Sequence, residues 1–272
     1  MPANASQITN PTVDTSVVRF IRTRMLVTHE ERAICVISGP WGIGKTTAVE
    51  AFVQMNSKSC VVVKVEPGST KRGASPVLVL QQTVEALRPH IGRSPRATLS
   101  NAYWSLRQML YNSLQELAQT SEAGDQANRP PQFSIVFDEA QYLSSEAIEM
   151  LRFWNDPDRT AAPFPIGLIF VGNSEFALEE KVGGQSVLSG AVRSRALFIE
   201  TLGYEDVSDE DIATFLMSRG AYDSEAIALL LSHFRQRRVR RDFRNVTRLD
   251  EALRRRAKAI TISAGIVSSV LN

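Results

Sequence analysis

Between residues 14 and 32 the apolar side chains Val17, Val18, Ile21, Met25 and Leu26 fall on one helical face, which predicts a helix with Asp14 or Thr15 placed to cap its first turn. Residues 33–38 (AICVIS) then form a short unbroken apolar run, the pattern of a strand covered on both faces of a parallel sheet. Similar runs follow at 60–65, 133–137, 166–171 and 196–199, separated by stretches long enough for crossover helices. Five such strands alternating with helices predict an α/β fold, a doubly wound parallel five-stranded sheet flanked by helices. Beyond Gly203 the strand pattern stops. Residues 208–217, 224–234, 242–259 and 263–271 read as helices, the first opening with a Ser208-x-x-Asp211 capping pattern. The expected organisation is a polar, flexible N-terminal arm (1–13), an α/β core (14–202) and a small all-helical C-terminal lid (203–272).

At 272 residues, 43% hydrophobic and 22% charged, the chain carries enough apolar material for one sizeable core and an appendage. Its 31 Lys and Arg against 29 acidic residues leave a net charge of +2, so nucleic-acid binding is signalled only by local clusters of cations. Cys35 and Cys60 lie inside strand-like runs without C-x-x-C spacing, the pattern of buried reduced thiols. No signal-peptide-like stretch follows Met1, and no run reaches the roughly 18 apolar residues of a membrane span. Both point to a soluble cytoplasmic protein with no membrane partner.

Chemistry concentrates after the first strand. Gly39-Pro40-Trp41-Gly42-Ile43-Gly44-Lys45-Thr46-Thr47 matches G-x-x-x-x-G-K-S/T between a strand and a helix predicted over 46–55. There the glycines let backbone N–H groups wrap phosphates, Lys45 reaches the β and γ phosphates, and the Thr46 hydroxyl ligates Mg2+. This motif predicts ATP as ligand. The strand at 133–137 ends in Asp138 and Glu139, at the sheet edge where open α/β proteins bind ligands. Asp138 would hold the metal through water and Glu139 would polarise the attacking water. The next strand ends in Gly172-Asn173, whose amide suits a lytic-water or γ-phosphate contact. Arg193 and Arg195 precede the fifth strand, and either is a candidate finger reaching into a neighbouring subunit's site.

This order of motifs followed by a helical lid resembles the P-loop AAA+ ATPases. Asp138-Glu139-Ala140, Val171-Gly172-Asn173, Val192-Arg193-Ser194-Arg195-Ala196 and Arg248-Leu249-Asp250-Glu251-Ala252-Leu253 look like the transposition regulators typified by MuB and TnsC, over roughly residues 14–260. The resemblance implies an ATPase using ATP and Mg2+ that assembles as a homo-oligomeric filament or ring on double-stranded DNA. It further implies that the assembly marks a transposition target and recruits and stimulates a transposase. Two other readings stay open: a secretion-associated ATPase of the ExeA kind acting on protein, and a nucleotide-gated scaffold with little turnover. Intact Glu139 and Asn173 weigh against the scaffold.

Loops at 66–73 and 93–98 correspond to pore-lining loops in the resembling family, which makes Lys71, Arg72, Arg93, Arg96 and Thr98 candidate contacts to the DNA backbone. Such groups neutralise phosphates without reading bases. The stretch 235–258 is denser in arginine. It serves DNA, a transposase or solvent, or supplies Arg244 or Arg248 as a lid sensor of the γ-phosphate; Arg248 counts among the nucleotide-binding candidates.

Overall fold

The computed structural model describes residues 13–68, 73–90, 102–121, 131–156, 162–176, 188–236, 238–257 and 261–271. The chain divides into two compact units, one holding residues 21–40 and 52–202, the other the residues up to 20, 41–51 and those from 203 onward.

In the first unit β1 (Ile34–Ser38), β2 (Cys60–Lys64), β3 (Ser134–Asp138), β4 (Gly167–Gly172) and β5 (Ala196–Thr201) pair in the order β2-β3-β4-β1-β5, all parallel. Every residue of β1, β3 and β4 is buried, as the unbroken apolar runs require of central strands. Ile34, Val36, Ile135, Phe137, Leu168 and Phe170 line one face of the sheet. Against them pack α3 (Pro76–Leu87), α4 (Tyr103–Ser121) and α5 (Ser145–Asn155), through Leu80, Leu110 and Trp154 among others. The register sets Ser38 opposite Gly172 and Asp138 opposite Val171, so the ends of β1, β3 and β4 form one carboxyl edge.

The strand expected at 196–199 departs from two-sided coverage. β5 runs to Thr201 and alternates, leaving Leu197 (45%) and Ile199 (37%) exposed. It is an edge strand, and one of its faces is held by α1 (Ser16–Glu31): Arg24 lies 4.4 Å from the Phe198 ring centre and pairs with Glu200 at 2.8 Å. Both cysteines are buried and free, and burial pushes each thiol up to about 12.

Near the end of α1, the buried His29 ring sits between two hydroxyls, Nδ1 2.8 Å from Ser134 Oγ and Nε2 3.3 Å from Ser59 Oγ. Burial is the main cause of a lowered imidazole pKa; Glu30 opposes the shift and Arg32 adds to it. A base whose folded pKa lies below its unfolded value, about 6.5, is held neutral by the fold. Its stabilisation is therefore complete above that unfolded value and is lost as pH falls through the folded pKa. Thermal unfolding midpoints measured from pH 8 to pH 5 should fall on the acid side of about 6.5. In His29→Gln that part of the pH dependence should disappear, and an unchanged profile would remove His29 as its source.

In the second unit Thr15 caps α1, its hydroxyl accepting the Val18 N–H at 3.3 Å, while Asp14 pairs with Arg19 instead. Ser16 donates both its N–H (2.5 Å) and its hydroxyl (2.6 Å) to Asp211. Asp211 also closes the expected capping box with Ser208 at the start of α7 (Asp209–Arg219). The helices α8 (Ser224–Phe234), α9 (Phe243–Ala257) and α10 (Ala264–Leu271) follow. One addition was not expected: Ala221–Tyr222 and Thr261–Ile262 pair as β6 and β7, a parallel ladder of two residues each. Beside it the fully buried Asp250 carboxylate accepts from Arg219 Nε (2.6 Å), Arg254 Nε (2.8 Å) and the Tyr222 hydroxyl. A charge this deep persists only when so paired.

Candidate active site

The chain leaves β1 at Ser38, whose hydroxyl is tied to Thr201 Oγ1 at 3.1 Å, and enters the phosphate-loop motif. Gly42 (φ 82°) and Gly44 (φ 103°) both take left-handed backbone, where a Cβ is strained, so the motif's glycines are a conformational need. Lys45 opens α2 (Lys45–Met55), and the first turn of a helix favours negative charge through its N–H groups and dipole. Ile43 is buried and anchors the loop, whereas Trp41 is 55% exposed. Gly44 packs on α1 and α9: a Cβ there would meet Val18 at 3.1 Å and Phe243 at 3.8 Å.

The start of α9 comes to the same loop. Gly42 C=O accepts the Phe243 N–H at 2.8 Å, and a Cβ on Gly42 would meet Asp242 Oδ1 at 3.0 Å and Arg244 Cγ at 3.2 Å. Asp242 is buried and caps α9, accepting the Asn245 N–H at 2.8 Å. Arg244 thus enters beside the loop, while Arg248 lies exposed one helical turn further along. Of the two sensor candidates left open by the sequence, Arg244 is the one at the glycines.

At the carboxyl edge of the sheet Asp138 is 7% exposed, and its Oδ1 accepts the Glu139 N–H at 3.0 Å. Glu139 itself is left-handed (φ 58°, ψ 37°), one of two such non-glycine residues among those described. It turns the chain from β3 into a 3-10 turn, Ala140–Tyr142. Asn173 stands at the tip of the neighbouring β4. Its Oδ1 accepts the Glu175 N–H at 3.0 Å, so a local Asx turn orients the amide and leaves Nδ2 as its donating end. Sequence reasoning missed Gln141, which joins these two residues: Nε2 donates to Glu139 Oε2 at 2.5 Å and Oε1 accepts the Asn173 N–H at 3.0 Å. The one sequence signal was a polar amide two positions after Glu139.

Arg193 and Arg195 lie in α6 (Gly190–Arg195), which Ser189 caps by accepting the Val192 N–H at 3.2 Å. Arg195 is held within its own chain by Asp156 at 2.8 Å. Lys71, Arg72, Arg93, Arg96 and Thr98 lie outside the described residues. In the lid, ten arginines face three carboxylates between residues 235 and 257, a surplus of seven in a chain whose net charge is +2. Several are spent internally: Arg235 and Arg241 on Asp209, Arg254 on Asp250, Arg255 on Glu251. Arg238, Arg240, Arg244, Arg248 and Arg256 are exposed, with no carboxylate within ion-pair distance among the described residues.

The Thr46 hydroxyl in one unit and the Asp138 carboxylate in the other are each hard oxygen donors of the kind Mg2+ takes. Among the described residues no cluster of three or more His, Cys, Asp or Glu forms a cage for another ion.

The family model described as AAA domain matches residues 28–178, more than half of the chain. The chain belongs to that family. Its fold matches the RuvB Holliday junction branch migration motor of Thermotoga maritima with a TM-score of 0.52 at 16% identity, covering 93% of this chain and 66% of that one. It matches the Aeropyrum pernix ORC1 protein, solved in complex with DNA, with a TM-score of 0.54 at 17% identity, covering 97% and 66%. The chain therefore spans about two thirds of the length of each. No curated protein matches it in sequence. Among the described residues no helix is long and apolar enough to cross a membrane.

Proposed function

We propose that this chain is an ATP-hydrolysing AAA+ protein of the cytoplasm that binds duplex DNA largely without regard to sequence. It assembles there as a homo-oligomeric filament or ring, selects target DNA for transposition and recruits and stimulates a transposase. The observation that carries the hydrolytic part is the placing of Asp138, Glu139 and Asn173 at the carboxyl ends of the adjacent β3 and β4, in a chain whose glycine loop has left-handed backbone at Gly42 and Gly44. The two structural neighbours, a branch-migration motor and a protein seen with DNA, favour DNA as the partner. Transposition rests on the motif resemblance alone.

In this reading the backbone of Gly39–Thr47 wraps the phosphates, and Lys45 offsets their charge. Thr46 and Asp138 would hold Mg2+, which when bound would supply neutralising charge for the phosphates. Glu139 orients and polarises the attacking water, and the Nδ2 end of Asn173 steadies the water or the γ-phosphate. Arg244, beside Gly42, or Arg248 one helical turn further along takes the lid-sensor role.

Turnover measured with and without random duplex is the test. DNA-stimulated hydrolysis supports the reading, DNA-indifferent hydrolysis points to a protein-directed ATPase, and binding without turnover points to a scaffold.

A finger supplied in trans completes the site only between subunits, so activity per subunit should rise with protein concentration. It should collapse, by about a thousandfold at the scale of such fingers, in one of Arg193→Ala and Arg195→Ala. Arg195 is paired with Asp156, and both arginines stay candidates. Concentration-independent turnover with both variants fully active would exclude the trans finger.

A further inference from the structure

Gln141 uses both ends of one planar amide on two different elements. Its Nε2 donates to Glu139 Oε2 at 2.5 Å in the turn after β3, and its Oε1 accepts the Asn173 N–H at 3.0 Å at the tip of β4. The pairing is chemically selective. An ionised carboxylate only accepts and a peptide N–H only donates, so the group between them must donate to one and accept from the other. A Gln amide does both at this length; Lys has no acceptor, an ionised Glu no donor, and Met has no donor and at best a weak acceptor. Glu139 also has need of a brace. Its left-handed backbone, φ 58° and ψ 37°, is a conformation that persists in a residue with a Cβ only where the surroundings hold it. The Gln141 bond is made to Oε2.

We propose that Gln141 is a positioning residue for hydrolysis, tying the orientation of the Glu139 carboxylate to the tip of β4 that carries Asn173. Asn173 is the residue assigned above to the lytic water or the γ-phosphate, so a displacement of its backbone on meeting nucleotide passes through one amide to the base. The proposal rests on the ATPase reading of this site and adds to it the residue that aligns its base.

The test uses the full chain with MgATP and five proteins: wild type, Gln141→Met, Gln141→Glu, Glu139→Gln and the double variant Glu139→Gln/Gln141→Met. Gln141→Met keeps length and shape and removes both hydrogen bonds. Gln141→Glu keeps the acceptor for the Asn173 N–H but loses the donor and sets a second carboxylate against Glu139. One hydrogen bond to a charged group corresponds to a factor of about ten to a hundred in rate. Both single variants at Gln141 should lose that much in kcat, while affinity for a fluorescent ATP analogue stays within about twofold, an allowance well under one hydrogen bond. Because Gln141 acts through Glu139, Gln141→Met should cost nothing further in the Glu139→Gln background.

Wild-type kcat in Gln141→Met, or losses that multiply in the double variant, would overturn the proposal while leaving Glu139 in place. A wild-type protein without turnover, or a Glu139→Gln variant with undiminished turnover, would overturn the ATPase reading and this inference with it. Should Gln141→Met fail to fold, Gln141→Glu and the one-methylene-shorter Gln141→Asn are read by the same criteria, each combined in turn with Glu139→Gln.

Discussion

Lys45→Ala should abolish ATP binding, whereas Glu139→Gln should bind ATP as the wild type does and lose hydrolysis by a factor of about a hundred or more, the scale of a lost general base. The two effects separate because the residues act at different stages. Lys45 opens α2 next to the left-handed glycines and, in the proposed site, is the cation that would offset the β and γ phosphates in both ground and transition states. In the same proposal Glu139 would meet the water and contribute only when the phosphoryl group is attacked. Titration with a fluorescent nucleotide and a steady-state phosphate-release assay measure them independently. Equal nucleotide affinity in Lys45→Ala and wild type would sink the assignment of the phosphate loop; full turnover in Glu139→Gln would sink that of the base.

Charge reversal at Lys71 and Arg72 is expected to weaken ATP-dependent DNA binding on all sequences alike. Every DNA phosphate that is no longer neutralised should lower the salt slope by about 0.9. One subunit neutralises few phosphates, so tight binding arises only when an ATP-linked assembly repeats its cations along the duplex. The lid holds the rival surface, since Arg238, Arg240, Arg244, Arg248 and Arg256 are exposed cations with no ion-pair partner among the described residues. If the Lys71 and Arg72 reversal leaves binding intact while neutralising Arg238 and Arg240 destroys it, the DNA lies against the lid instead of the loops. Arg244 is left out of that comparison because its place beside Gly42 would confound DNA binding with nucleotide binding.

The five-stranded sheet was legible because β1, β3 and β4 are buried on both faces, and burial on both faces writes itself as an unbroken apolar run. β5 was placed but misjudged: as an edge strand it keeps Leu197 and Ile199 outside, and apolar residues at an edge look the same in sequence as apolar residues in a centre. The pairing of β6 with β7 left no trace, since two residues carry no periodicity. The phosphate loop was legible as a motif because its glycines answer a local need, positive φ at Gly42 and Gly44. Contacts across long sequence separations were not. Nothing in the spacing of Arg244 and Arg248 says which of them meets Gly42, and nothing local joins Gln141 to Asn173 across a sequence separation of 32 between β3's turn and β4's tip. Asp250 was read as part of a helix signature, whereas its buried carboxylate is the acceptor for Arg219, Arg254 and Tyr222 together.

Co-sedimentation of the purified full chain with random-sequence duplex DNA, in parallel with ATP, with ADP and without nucleotide, tests the central claim most directly. An ATP-gated assembly on DNA predicts that protein pellets with DNA in ATP and little or none does so in the other two conditions, with no preference among unrelated duplexes. Equal pelleting in all three conditions, or none in any, would contradict it.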